Sequence, residues 1–152
     1  MAKREIKRHA RRFSATRKQH SLEAAEDYTE LVLDLIKAKG EARTGEIAKH
    51  LGISHVTALR TIRRLSQEGY LRTARKMPVT LTPKGERLAL ASKERHRIVV
   101  QFLLMLGVPP DVAEIDAEGA EHHISDTTLR AFVAFLRDRG VSCGKDSLIG
   151  EI

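Results

Sequence analysis

The chain has 152 residues, 41% of them hydrophobic, and a single cysteine, Cys143. That is enough for one ordinary domain or two small modules sharing a core, closed without an intrachain disulfide or a thiolate metal cluster. Its longest apolar run, Ile98-Val99-Val100 and then Phe102 to Val108 after a glutamine, is too short and interrupted to cross a bilayer; no apolar stretch follows the basic N-terminus as a signal peptide needs. No membrane association and a cytoplasmic location are therefore expected.

The formal net charge of +7 is unevenly placed. Residues 1–20 carry eight Lys and Arg against Glu5 alone, so they hold the whole excess and the rest is neutral by cancellation. Residues 43–97 hold 13 basic and 4 acidic residues, whereas residues 21–42 and 98–152 are both acidic. A basic middle between two acidic segments suits a polyanion-binding module beside a cation-binding one.

In chain order, residues 1–20 offer only Ile6 and Phe13 as large apolar groups. Burial cannot offset the entropy of ordering them, so a basic flexible arm that orders on DNA, or a plain solubility tail, is expected. Ser21 is a plausible N-cap for a first helix, with Glu23 and Glu26 in its first turns. Ala24, Tyr28, Leu31, Val32, Leu35 and Ile36 follow at helical spacing, and Gly40 ends the helix. Asp27 and Glu30 lie three apart on one face and, read alone, are ordinary solvent-facing acids.

The next segment, from Ala42 and Arg43 through Ile47, Ala48 and Leu51 to Gly52, predicts a short helix and a turn. Ser54 is the expected N-cap of a second helix reaching about Glu68, with Ala58, Thr61 or Ile62, and Leu65 inward. Its other face carries Val56, Arg60 and Arg63, flanked by His55, Thr57, Leu59 and Arg64. Short helices, a glycine turn and a basic second helix are the helix-turn-helix pattern; a plain helical hairpin is the alternative. Residues 70–75 and 79–82 then read as two short strands, with Arg72, Arg75 and Lys76 near the tip of the hairpin. The whole is a winged helix for double-stranded DNA. Its candidate contacts are Arg43, Ser54, His55, Val56, Thr57, Leu59, Arg60, Arg63, Arg64, Arg75 and Lys76.

Thr82-Pro83 caps a long helix running to about Leu106, charged in its first half and apolar in its second. His96 sits at the switch, as a structural partner or a ligand. Another helix from Pro109 runs into Asp116-Ala117-Glu118-Gly119-Ala120-Glu121-His122-His123. If helical throughout, that stretch places Glu118, Glu121 and His122 at i, i+3 and i+4 on one face. Such a triad is either a solvated acidic face or one wall of a cation site. Gly119 inside the helix costs about 1 kcal/mol relative to Ala, which a close backbone approach or a ligand-binding carbonyl would explain. Ser125 or Asp126 caps a last helix with Leu129, Phe132, Val133, Phe135 and Leu136 inward, ended by Gly140. Residues 141–152 read as a C-terminal tail. The surplus of apolar positions on these helices predicts a homodimer.

Tyr28 with Asp27 and Glu30, the winged helix, Glu94-Arg95-His96 before Phe102-Leu103, and the Glu118-Gly119-Ala120-Glu121-His122-His123 run together resemble the manganese transport regulator branch of the diphtheria-toxin-repressor family, over roughly residues 22–140. The resemblance implies a mostly α fold with a small β-wing. Its parts are an arm at 1–20, a DNA-binding domain at 21–92, a helical metal-binding and dimerisation domain at 93–140, and a tail. It implies a metal set of Asp27, Glu30, His96, Glu118, Glu121 and His122, holding one or two Mn2+ per subunit, with Fe2+ the alternative. The iron-sensing branch carries sulfur at two of these positions, where this chain has Asp27 and Glu118, so hard Mn2+ is favoured chemically. The absence of an SH3-like domain after Gly140 places it with the short, two-domain regulators. The implied function is a manganese-responsive repressor of transport genes that binds palindromic operators as a homodimer; an iron-responsive or metal-independent winged-helix regulator is the alternative. No nucleophile, phosphate loop or spare general base argues for an enzyme, and no small organic ligand is expected.

Overall fold

A computed structural model describes the backbone of residues 2–141 and the side chains from His20 onward. The helices are α1 (Ala2–Lys39), α2 (Thr44–His50), α3 (His55–Gln67), α4 (Pro83–Met105), α5 (Pro110–Ala120) and α6 (Asp126–Arg137). Strands β1 (Leu71–Arg72) and β2 (Thr80–Leu81) form the wing, and Glu121–His123 is a 3-10 turn between α5 and α6. This is the mostly helical winged-helix architecture expected. Cys143 and the tail beyond Val141 lie outside the described residues.

Two apolar clusters organise these elements. The first gathers Tyr28, Val32 and Leu35 of α1, Ile47 of α2, Ile62 and Leu65 of α3, Leu71 and Val79 of the wing, and Leu88 of α4. The buried stripe of α3 is thus Ala58, Ile62 and Leu65, so Ile62 takes the position that Thr61 might have filled. The second gathers Ile98, Val99 and Val100 of α4, Ala113 and Ala117 of α5, and Leu129, Val133 and Leu136 of α6. Helix α4 belongs to both, its charged half on the first and its apolar half on the second. The change in its composition near His96 is therefore the change from one core to the next.

Local chemistry explains most boundaries. Ser54 and Ser125 cap α3 and α6 by accepting from the backbone N–H of Thr57 and Thr128, and Thr82 caps α4 by accepting from Gly85 with Pro83 in the first turn. Gly52, at φ 64°, makes the turn of the helix-turn-helix. The antiparallel wing pairs Leu71 with Leu81 and Arg72 with Thr80, and a bridge between Ala42 and Val79 ties its base to the start of the DNA-binding unit.

Three expectations are corrected. The first helix does not start at Ser21; its backbone is helical from Ala2, and Ser21 instead accepts a 2.6 Å hydrogen bond from Arg64 of α3. The wing strands are two residues each, because pairing across so short a hairpin ends where the chain diverges toward Lys76, which sits at φ 63°. The acidic helix stops at Ala120, so Glu121 and His122 belong to the 3-10 turn. Gly119 has open space around its missing side chain, which removes close backbone approach as its explanation.

Gly85 is the glycine that packing demands. A Cβ there would stand 2.0 Å from the Tyr70 carbonyl oxygen, where the wing meets α4. Gly85→Ala is expected to lower stability by about 1–3 kcal/mol, the usual cost of overpacking. An unchanged urea midpoint would show that this contact does not hold wing and helix together.

Candidate metal centre and nucleic-acid interface

The acidic residues expected from separate parts of the chain meet in one place. An open cleft of about 440 Å³ between α1, α2 and the α5–turn segment is lined by Glu23, Asp27, Glu30, Asp34, His50, Glu118, Glu121 and His122, with Leu31 and Leu51. His96 reaches the same carboxylates from α4. Its Nδ1 lies 2.5 Å from Glu121 and 3.6 Å from Glu118, and its Nε2 donates to Glu114 at 2.9 Å. His122 Nε2 lies 3.4 Å from Asp27 and 3.7 Å from Glu121, while its Nδ1 donates to Glu26 at 2.6 Å. All six residues of the expected metal set therefore border one region, although they come from α1, α4, α5 and the turn.

Folding sets the position of each donor. Asp27 and Glu30 flank the buried Tyr28 and Thr29 of α1, so packing those two against the core orients the acids beside them. Arg95, only 12% exposed at its side chain, holds the 3-10 turn by donating to the carbonyl oxygens of Glu121 and Ile124 and pairing with Asp126 at 3.5 Å. Lys93 of α4 pairs with Asp34 of α1 at 2.8 Å. These contacts bring the three walls of the cleft together.

The electrostatics follow from taking like charges out of water. Burial pushes the Asp27 carboxyl up to about 6, opposed by His122 and reinforced by Glu23, Glu118 and Glu30. Burial pushes Glu121 up to about 7 against the pull of His96. Glu30 is raised by burial too, with the Ser92 hydroxyl and Lys93 pulling the other way. The bond to Glu26 takes the His122 ring up to about 9 despite burial. Burial lowers His96, yet its bonds to Glu114 and Glu121 leave it raised.

Among the described residues, no group of three or more His, Cys, Asp and Glu side chains is arranged ready to hold an ion. The donors are closed on one another, histidine to carboxylate, rather than directed at a common centre. The chemistry of the set nevertheless fits a divalent cation. Its donors are carboxylate oxygens and imidazole nitrogens with no sulfur, and burial makes two of the carboxylates resist ionisation.

Two residues of this network escaped the sequence reading. Glu114 lies one helical turn before Glu118 on α5 and holds the outer nitrogen of His96. Glu26 is 3% exposed. The signal for it was there: an acid on the inward stripe of α1, between Leu22 and Thr29, where a solvated acid does not belong.

On the DNA-binding unit, His55, Val56, Thr57, Arg60 and Arg63 form an exposed surface of α3, and Arg75 and Lys76 are exposed at the wing tip. Val56, 67% exposed, is an apolar side chain presented to solvent beside arginines. Ser54 is engaged as a cap, 2.9 Å from the Thr57 hydroxyl, and Leu59 is half-buried. Arg43 forms a two-bond pair with Glu41, and Arg64 is held by Ser21 and Glu68, so both guanidinium groups have partners within the protein.

Two family patterns divide the chain at the wing. Residues 20–78 match the iron dependent repressor N-terminal DNA binding domain, and residues 82–146 match the iron dependent repressor metal binding and dimerisation domain. The transcriptional regulator MntR of Salmonella typhimurium is 45% identical over 137 residues, 90% of this chain and 87% of that protein. The HTH-type transcriptional regulator MntR of Lysinibacillus sphaericus is 39% identical over 100 residues, covering 66% of this chain and 72% of its own. Among solved structures, a manganese-dependent transcriptional repressor in complex with manganese is 33% identical with a TM-score of 0.67, covering 74% of this chain and 52% of that one. The IdeR of T. acidophilum shares the fold at 24% identity and a TM-score of 0.63, covering 76% and 54%. The chain spans about half the length of these two solved chains.

The raised groups give the cleft a defined pH response without metal. Glu121 and Asp27 titrate higher folded than unfolded, so the stability they confer is full below their ordinary range and is lost as pH rises through about 6 to 7. His122 confers stability that is full below pH 6.5 and is lost through about 9. All three have the same sign, so the chain in chelator should show a lower urea midpoint at pH 9 than at pH 6. An equal or higher midpoint at pH 9 would contradict the arrangement.

Proposed function

The chain belongs to the iron-dependent repressor family, as a metal-responsive transcriptional regulator rather than an enzyme, and from that premise we propose that it is a manganese-responsive repressor that binds palindromic operator DNA as a homodimer. The convergence of Asp27, Glu30, His96, Glu118, Glu121 and His122 on one cleft carries this reading. The manganese-dependent transcriptional repressor to which the chain is 33% identical supports the choice of ion, as does an all-oxygen-and-nitrogen donor set. Selectivity then depends on geometry and supply, because Mn2+ stands at the weak end of the affinity series.

A divalent cation in the cleft would supply positive charge among carboxylates that now repel one another. Asp27 and Glu30 would hold it from the DNA-binding module, and His96, Glu118, Glu121 and His122 from the module beyond it. Donors drawn from both walls to such a cation would hold α1 against α4 and the turn. Helix α1 packs against α4 and shares the first core with α3, so this sets where the recognition helix stands. The free energy of metal binding thereby becomes a bias on DNA affinity.

Recognition is assigned to His55, Val56, Thr57, Arg60 and Arg63 in the major groove, with Arg75 and Lys76 along the backbone. Arg43 and Arg64 pair with Glu41 and with Ser21 and Glu68, and their remaining N–H donors stay available to phosphates. The eight cations of residues 1–20 lie on a helical extension of α1 and add phosphate contacts beside the operator. Met105, Leu106, Val112 and Ile115, all exposed on the second module, offer the apolar surface for a second copy of the chain.

Titration of the chain onto its own upstream DNA should show Mn2+ tightening binding about 5- to 150-fold over chelator, the usual range of such coupling. Glu118→Ala and His122→Ala should abolish that gain while leaving weak, metal-independent binding. Equal affinity with and without chelator would leave a metal-independent regulator as the answer. Arg60→Ala or Arg63→Ala should each cost about 1–3 kcal/mol of operator discrimination. Removal of residues 1–19 should reduce the salt dependence of binding without changing operator preference, and an unaltered salt slope would assign that segment no phosphate contacts.

A further inference from the structure

Glu26 is neither among the metal donors nor on the DNA-binding face. It is an acid on the inward side of α1, next to Asp27 but pointing the other way: Glu26 is 3% exposed, whereas the Asp27 side chain is 43% exposed at the cleft. Its carboxylate accepts a 2.6 Å hydrogen bond from Nδ1 of His122, itself 5% exposed, across 96 residues of sequence. The opposite ring nitrogen, Nε2, is the one that faces Asp27 and Glu121. An imidazole coordinates through a single nitrogen, and the partner of the other nitrogen decides which one and at what angle.

We propose that Glu26 is the positioning residue of the metal centre, holding His122 by Nδ1–H so that Nε2 is presented to the ion. The proposal rests on the reading of the cleft as a metal centre and adds to it a residue that does not touch the metal. It also places the control on α1, the helix of the DNA-binding module, whereas His122 belongs to the turn of the other module. The Glu26–His122 bond joins the two modules through protein atoms alone. Binding then strengthens an existing contact instead of creating one. A burial this deep is costly for a carboxylate, and the imidazole that it orients is the partner that offsets the cost.

The test is Mn2+ binding to the full chain, followed by the loss of the free-ion electron paramagnetic resonance signal, for wild type, Glu26→Ala and Glu26→Gln. The glutamine amide oxygen can accept the same bond, so Glu26→Gln should stay close to wild type, whereas Glu26→Ala should bind about 10- to 100-fold more weakly. Nitrogen-15 NMR of His122 in chelator should show a proton on Nδ1 in wild type and Glu26→Gln, a readout that holds even if the alanine variant does not fold. Glu26→Ala binding as tightly as wild type, or a His122 protonated only at Nε2 in wild type, would overturn the proposal. A wild-type chain that takes up no Mn2+ would instead remove the metal-centre reading on which it depends.

Discussion

Like charges held close together out of water are what the rest of this structure is arranged around. Asp27, Glu30, Glu118 and Glu121 face one cleft, and burial makes ionisation of Asp27, Glu30 and Glu121 harder than it is in solvent. Left alone, that repulsion would drive α1 away from α5 and the turn. Three kinds of contact resist it: two histidines inserted among the acids, the Lys93–Asp34 pair between α4 and α1, and the Arg95 clamp on the turn backbone. The fold keeps the acids together at a cost, and a divalent ion is the species that would convert that cost into affinity.

Helix α4 links the cleft to both cores. Its first half completes the core that holds the recognition helix, its second half the core of α5 and α6, and His96 sits where they meet. A cation drawn to His96 is therefore drawn to the seam between the DNA-binding unit and the unit expected to dimerise. The coupling proposed above would need an element shared by the two units, and α4 with α1 packed along it is placed to be that element.

The Glu26–His122 clasp changes the mechanical picture that charge alone suggests. Repulsion between acids implies modules held loosely until metal arrives. A buried hydrogen bond between the modules, beside the His122–Asp27 and Lys93–Asp34 pairs, means that they are already in contact. Such a preformed contact lowers the entropy that must be lost when the donors gather. The adjacent acids Glu26 and Asp27 face opposite ways, Glu26 inward against His122 and Asp27 outward to the cleft.

Periodicity, caps and charge determined much of this protein without tertiary information. The glycine turn at Gly52, the Ser54, Thr82 and Ser125 caps, and the apolar stripes of α3 and α6 are local effects, and local effects are readable in sequence. So was the acid-and-imidazole set, once a resemblance joined Asp27 and Glu30 to residues some ninety positions away; spacing alone could not, because it reports only neighbours on one element. Tertiary structure decided what depends on packing between elements. It ended α5 at Ala120, so that Glu121 and His122 reach the cleft from a turn and not from a helix face. It placed Ser21 of α1 beside Arg64 of α3, a contact between elements that spacing could not report. It also turned Glu26 from an acid in a first turn into the partner of a histidine 96 residues on, because only the folded chain determines which side of α1 is closed to water.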